Sequence, residues 1–428
     1  MSWIRRFFAW LWKLLFVRGP IERRAPLLGG GTDADSIRDR ARKKKEIVDL
    51  SGGPIKPHHQ RRALRDPRLL PKPGRKNPFE KPPRVMKKEE ARRLFSSTLR
   101  TRNRNLFDLL PDEEQLARHA LPLWKTEEDL AKALGLSLGE LRFFSIHREC
   151  ERADHYVTFA IPKRSGGERC IMAPKKRLKA VQRSLNQLLC AKLPVSEHAH
   201  AFLPRRSVKT NAEPHVGRRA LLQLDLESFF PSVTFARVRG FLISLGYGYP
   251  VATVLSTLMT ACERQPVEIA GEVLHVPVGP RVCVQGAPTS PLICNAICLK
   301  LDRRLAGLAK KLGFEYTRYA DDLTFSGDDA GKVARLHRIA REIIEDEGFR
   351  LNAKKTRILR RGRRQRVTGV TVNDVLGLSR KERRRLRAMA HRAQQNPEAS
   401  VKRRVAGHVA YLGMLNPEQA GRIRRNRD

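Results

Sequence analysis

Two adjacent acids, Asp321 and Asp322, lie between the apolar runs Phe314–Tyr319 and Leu323–Phe325, a pattern that reads as strand, tight turn, strand. Paired carboxylates at such a turn suit two-metal phosphoryl transfer. Two Mg²⁺ ions about 4 Å apart need bridging oxygen ligands on a rigid scaffold, so that one activates a hydroxyl and the other stabilises departing pyrophosphate. A third acid is then required from another strand. Asp225 fits: it closes the apolar run Ala220-Leu221-Leu222-Gln223-Leu224, which reads as a buried strand, and is followed by Leu226-Glu227-Ser228-Phe229-Phe230. Each acid could instead be a buried carboxylate satisfied by backbone donors or a lysine. Adjacent acids after apolar residues are nevertheless a costly choice without nearby cations. Asp225 and Asp321 are the expected direct metal ligands, with Asp322 in a supporting role. Glu227, Asp328 and Asp329 are read as non-catalytic, the latter two in a turn.

The elements that must position these acids follow from periodicity and turn chemistry. Thr126 and Asp129 form a capping-box pattern ahead of Leu130, Ala133 and Leu134, and a second helix is expected after Ser137. Residues 156–161 and 168–173 read as strands around Ser165-Gly166-Gly167, and Val181, Leu185, Leu188 and Leu189 mark one helix face. Helix starts are expected at Ser379, Ala399 and Asn416, and no separate ribonuclease H or endonuclease domain is expected after them. No Walker-type phosphate loop occurs, which argues against an ATP-driven motor.

Composition points to a polyanionic partner. The 428 residues carry 86 Lys and Arg against 44 Asp and Glu, a formal charge of +42, spread from the first hundred residues to the C-terminal helices. Residues 18 to 95 are rich in Arg, Lys, Pro and Gly and read as a flexible basic arm. The apolar and basic stretch 2–17 is too short and interrupted for a transmembrane span and lacks a cleavage site; it reads as an amphipathic helix that docks on the fold, a partner or a membrane surface. The 7 cysteines contain no Cys-x-x-Cys pair, and the histidines lack metal spacing, so a reduced cytoplasmic protein without zinc is expected.

The order of the Asp225 segment, Gln285-Gly286-Ala287-Pro288-Thr289-Ser290-Pro291 and Tyr319-Ala320-Asp321-Asp322 resembles the reverse transcriptases. Asn211-Ala212-Glu213-Pro214-His215 and Val367-Thr368-Gly369 resemble elements of the bacterial retron enzymes, and the resemblance spans roughly residues 140 to 428. It implies an α+β right-hand polymerase fold with fingers, palm and helical thumb, preceded by the basic arm. The corresponding bounds are 1–95 for the arm, 96–219 for fingers and N-terminal helices, 220–370 for the palm and 371–428 for the thumb.

The resemblance also implies an RNA-directed DNA polymerase that uses Mg²⁺, with Mn²⁺ as an alternative. Its substrates would be deoxynucleoside triphosphates and a cognate structured noncoding RNA that supplies both template and primer. Synthesis would start from the 2′-hydroxyl of an internal guanosine and yield branched RNA-linked single-stranded DNA, trimmed by a host ribonuclease H. A role in antiphage defence with a separate effector protein is part of the same resemblance. By analogy Lys163, Arg169, Gln285 and Gly286 face the nucleotide, and Phe229 lies beneath its sugar to exclude a 2′-hydroxyl, although Phe229 and Phe230 could both be core. Lys355, in Leu351-Asn352-Ala353-Lys354-Lys355-Thr356, would stabilise or protonate pyrophosphate. Asn211 and His215 would hold RNA or brace the palm, and Val367, Thr368 and Gly369 would recognise RNA near the thumb. The rival readings are a group II intron-type enzyme, an RNA polymerase and a non-catalytic RNA-binding scaffold.

Overall fold

The structure, a computed structural model, describes Arg84–Val85 and residues 110–145, 154–163, 166–269, 272–395 and 398–425. These fall into two units. One contains Arg84–Val85, 110–117, 122–186 and 234–290; the other contains 118–121, 187–233 and the described residues from 291 onward.

The second unit is built on a four-stranded antiparallel sheet in which Ala220–Asp225 lies between Asp322–Gly327 and Arg357–Arg360, with Phe314–Tyr319 outside Asp322–Gly327. Ala220–Asp225 is buried at five of its six positions, so it shows a continuous apolar run and no alternation. Leu301, Leu305, Leu308 and Leu312 repeat at helical spacing along Leu299–Leu312, which packs on Phe314–Tyr319 and on Val333–Asp346. Gly313 ends the first of these helices at φ 78°, a left-handed cap that a residue with a Cβ adopts at a cost.

Three helices follow the sheet, Arg380–Gln395, Ala399–Leu415 and Pro417–Arg425. Their apolar faces, including Leu386, Val405, Val409 and Leu412, share a core with Val367 and Val370. Ser379 and Glu382 form a reciprocal cap at the first helix, and Pro417 opens the third, where its missing N–H costs nothing.

In the first unit the capping box of Thr126 and Asp129 forms in full at Glu127–Leu134, and Ser137 and Glu140 cap Leu138–Ser145. Tyr156–Pro162 pairs antiparallel with Glu168–Pro174, and Lys163 N donates to Gly167 O at 2.9 Å across the connection. The helix Lys176–Leu188 buries Leu178, Val181 and Leu185.

Two features depart from expectation. Arg264–Ile269 and Glu272–Pro277 form a hairpin that periodicity did not signal. Arg84–Val85 pairs in parallel with Val267 and Glu268, so the arm expected to be flexible up to residue 95 holds a strand at this point. Pairing of this kind uses backbone groups alone, which composition does not register. The remainder of the arm and the 2–17 stretch lie outside the described residues. No helix among the described residues is long and apolar enough to cross a membrane.

Candidate active site

Asp225 ends the central strand directly opposite Asp322, its register partner on the neighbouring antiparallel strand. Residues opposed in this way project to the same face, with Cβ atoms about 4.5–5.5 Å apart. Asp321 lies in the two-residue connection that joins Tyr319 to Asp322. Its carbonyl accepts from Leu226 N at 2.9 Å, and the Asp225 carbonyl accepts from Asn352 N at 2.8 Å. The residues flanking Asp225 are thus tied both to the acidic turn and to the segment that leads to Lys355. Ala320, the first residue of the turn, has φ 59°. A glycine would adopt this conformation freely, whereas alanine stores strain on the order of 1 kcal/mol.

The three carboxylates form one electrostatic group with Lys355. The Lys355 Nζ donates to Asp225 Oδ2 at 2.8 Å, and Asp225 is 5% exposed. Burial alone would lower the Lys355 pKa, but the Asp225 hydrogen bond and charge, aided by Asp321 and Asp322, raise it overall. The Asp322 carboxyl is pushed up to about 8, first by desolvation and then by the charges of Asp321 and Asp225, while Lys355 acts in the opposite sense. Asp322 is itself exposed to solvent, at the start of its strand.

This donor set fits a divalent cation, because a cation relieves the mutual repulsion that raises Asp322. Among the described residues no group of three or more acidic, imidazole or thiol side chains is gathered closely enough to hold a metal ion. A Mg²⁺ site needs only one or two carboxylates when phosphates and water complete the shell.

The other expected site residues divide between the two units. Lys355 and Phe229 share the second unit with the acids; Lys163, Arg169, Gln285 and Gly286 belong to the first. Lys163 is exposed at the end of its strand, and Arg169 is half-buried opposite Ile161. Gln285 O accepts from Met172 N at 2.9 Å. At Gly286, φ is 120° and an added Cβ would lie 2.7 Å from the Met172 carbonyl oxygen. The close backbone approach expected at this glycine is therefore made to the protein's own strand.

Phe229 requires a correction. It is 4% exposed, its ring centroid 6.2 Å from Phe349 and 5.3 Å from Phe230, so it belongs to the core. Phe230, half-buried, is the ring with surface to offer. Spacing from Asp225 could not separate the two neighbours; burial does.

Asn211, His215 and Val367 also face inward, at 1%, 0% and 0% exposure, which for Asn211 and His215 favours the bracing alternative over direct contact with RNA. His215 Nε2 lies 2.8 Å from Thr317 Oγ1 and its Nδ1 lies 2.6 Å from Ser326 Oγ. The Thr317 hydroxyl donates to Asn211 O, so Nε2 carries the proton and Nδ1 accepts from Ser326. Burial first, then His200 and Arg218, lowers the His215 pKa to about 3, so the ring braces the sheet as a neutral group. Asn211 Nδ2 reaches Thr368 Oγ1 at 3.4 Å, which joins the two elements that carried the retron resemblance. Thr368 and Gly369 form the turn between two short strands, both at positive φ and partly exposed.

Sequence reasoning missed Arg318, Asp302 and Asn295, which are wholly buried beneath the acidic turn. An arginine in the middle of a strand otherwise read as apolar was the available signal.

Comparison with known proteins shows the family. Residues 161–413 match the family described as Reverse transcriptase (RNA-dependent DNA polymerase). The chain is 62% identical over 389 residues to the Retron Mx65 reverse transcriptase of Myxococcus xanthus, covering 89% of each. It is 44% identical over 330 residues to the Retron Mx162 reverse transcriptase of the same organism, covering 73% of this chain and 68% of the relative. It is 32% identical over 280 residues to the Retron Ec86 reverse transcriptase of Escherichia coli, covering 65% and 81%. With a family match over more than half its length and relatives this similar, the chain is an RNA-directed DNA polymerase and belongs to the bacterial retron reverse transcriptases.

Proposed function

We propose that Asp225 and Asp321, with Asp322 in support, hold two Mg²⁺ ions, with Mn²⁺ as an alternative, and that this cluster is where deoxynucleotides are joined. The observation that carries the proposal is the register of Asp225 against Asp322, with Asp321 in the turn between the paired strands. When bound, the ions would favour the deprotonated attacking hydroxyl and neutralise charge on the leaving pyrophosphate. Lys355 holds the Asp225 carboxylate and presents an ammonium proton beside the centre, where it serves the departing group. Phe230 takes the sugar-gating role first considered for Phe229. Lys163, Arg169, Gln285 and Gly286 contact the triphosphate and template base. Thr368 and Gly369 contact RNA, while Asn211, His215 and Val367 act indirectly by supporting them.

The physiological reaction in this reading begins at the 2′-hydroxyl of an internal guanosine of a cognate noncoding RNA. It yields branched, RNA-linked single-stranded DNA in the cytoplasm, which host ribonuclease H trims. Residues 1–95 serve as a basic arm, 96–219 as fingers, 220–370 as palm and 371–428 as thumb. An antiphage role with an effector protein completes the proposal. Its experiment is expression of the wild type and Asp321→Ala, with sequencing and debranching of co-purified nucleic acid. Wild type should carry DNA released from RNA by debranching enzyme, and the variant should retain RNA without DNA. A conventionally 3′-primed product would refute the branching; DNA made by Asp321→Ala would refute the site.

A further inference from the structure

Arg318 is a fully buried arginine in the strand that leads into the acidic turn. Its five N–H bonds are all engaged. Nε donates to Asp302 Oδ1 and Nη2 to Asp302 Oδ2, both at 2.7 Å, a two-pronged ion pair. Nη1 donates to Asn295 Oδ1 at 2.9 Å and to the Ala320 carbonyl at 3.2 Å, and Nη2 makes a long contact of 3.5 Å to the Asn295 carbonyl. The partners are anchored in turn: Tyr316 donates its hydroxyl to Asp302 Oδ1 at 2.8 Å, and Asn295 Nδ2 donates to Ala201 O at 2.7 Å. The Arg318 backbone is held as well, its N–H by His198 O at 2.7 Å and its carbonyl by His200 N at 2.8 Å.

Stability does not account for this arrangement, since apolar residues of similar volume commonly replace a buried ion pair without loss. What an apolar side chain cannot do is grip the Ala320 oxygen. The Ala320–Asp321 peptide is a rigid plane, so fixing its oxygen fixes the direction in which the chain enters Asp321. The next carbonyl, that of Asp321, is held by Leu226 N, immediately after Asp225. Asp321 is therefore gripped on both sides, once from the buried network and once from the Asp225 strand. Ala320 stays in its left-handed conformation between them.

We propose that Arg318, oriented by Asp302 and Asn295, is a positioning residue for DNA synthesis: it sets the Ala320–Asp321 peptide plane and hence the placement of the Asp321 carboxylate relative to Asp225. The inference rests on the reading of these two acids as the metal-holding pair. Lysine cannot substitute, because a single ammonium with three donors does not span Asp302, Asn295 and the turn at once.

The test compares wild type, Arg318→Lys, the double variant Arg318→Met/Asp302→Leu, and Asp321→Ala. For each, melting temperature, template–primer affinity, KM for deoxynucleotide, kcat per folded molecule and the Mg²⁺ concentration for half-maximal rate are measured well below the melting temperature. Both Arg318 variants should bind template–primer and deoxynucleotide within about twofold of wild type, lose about 10- to 100-fold in kcat and need several-fold more Mg²⁺. Should the double variant fail to fold, Arg318→Lys, which keeps the charge pair, decides alone. An unchanged kcat per folded molecule in the folded Arg318 variants overturns the inference and leaves the network as core packing. Activity in Asp321→Ala would instead overturn the underlying assignment of the acids, so the two failures are distinguishable.

Discussion

Replacing Phe229 and Phe230 one at a time by alanine separates packing from substrate selection. Phe229 is 4% exposed and its ring is within stacking distance of Phe349, so Phe229→Ala should cost about 3–5 kcal/mol, as large-to-small changes at buried aromatics do. For a unit of about 200 residues, where each kcal/mol moves the melting temperature by roughly 2–4 °C, that is a drop on the order of 10 °C. Phe230 is half-buried, and losing about half of a buried phenylalanine's contribution costs only about 1 kcal/mol. Its effect should appear in chemistry instead. Forcing an extra atom against a fixed ring costs about 1–3 kcal/mol, so removing the ring should relax deoxynucleotide-over-ribonucleotide discrimination by about 10- to 100-fold. The assay is single-nucleotide extension with dCTP and CTP, read as the ratio of kcat/KM values, beside thermal melting of each variant. If Phe229→Ala, assayed while folded, collapses discrimination and Phe230→Ala preserves it, assigning the gate by burial is wrong.

The neutral His215 makes stability fall with acid. Its folded pKa of about 3 lies below the ordinary 6.5, so the unfolded chain binds the extra proton and stability declines from pH 6.5 downward, flattening near the folded value. At pH 5.5 the loss is about 1.4 kcal/mol, and His215→Gln should lack this component when melting is compared at pH 7.5 and 5.5. An identical pH dependence in both proteins would contradict the depressed pKa, given His200 and Arg218 nearby in each. Gly286→Ala should lower kcat/KM for deoxynucleotide by more than tenfold, since the new Cβ meets the Met172 carbonyl at 2.7 Å and φ of 120° disfavours a side chain; full activity would show that the segment tolerates displacement. Lys355→Met leaves the 5%-exposed Asp225 carboxylate without its ammonium partner and so should lower the melting temperature by several degrees, while kcat per folded molecule falls about 100-fold, as removal of a proton donor does; a kcat drop below threefold would take Lys355 out of the chemistry.

Local chemistry made much of this protein legible from residue order. The capping box at Thr126, the glycine-rich turn at 166–167 and the helix starts at Ser379, Ala399 and Asn416 all depend on neighbours within a few positions, and each forms within a residue of where its sequence indicates. The acidic turn and the apolar strand ending in Asp225 were readable for the same reason: a run of buried side chains interrupted by carboxylates is unusual on its own terms. The strand at Arg84–Val85 escaped because its pairing is between backbones distant in sequence and leaves no side-chain pattern.

Residue types and their order thus pointed to the three acids and identified the basic character and the family. Long-range packing then settled which neighbour of a pair is buried and what an interior polar group binds. Phe229 and Phe230 are chemically identical, and only the position of Phe349 makes one of them core. His215 could have faced RNA until Thr317 and Ser326 were found on either side of its ring. Arg318 reads as one more positive charge among 86, yet burial turns it into a clamp, because a guanidinium withdrawn from water must satisfy every donor on partners that the chain supplies from distant segments.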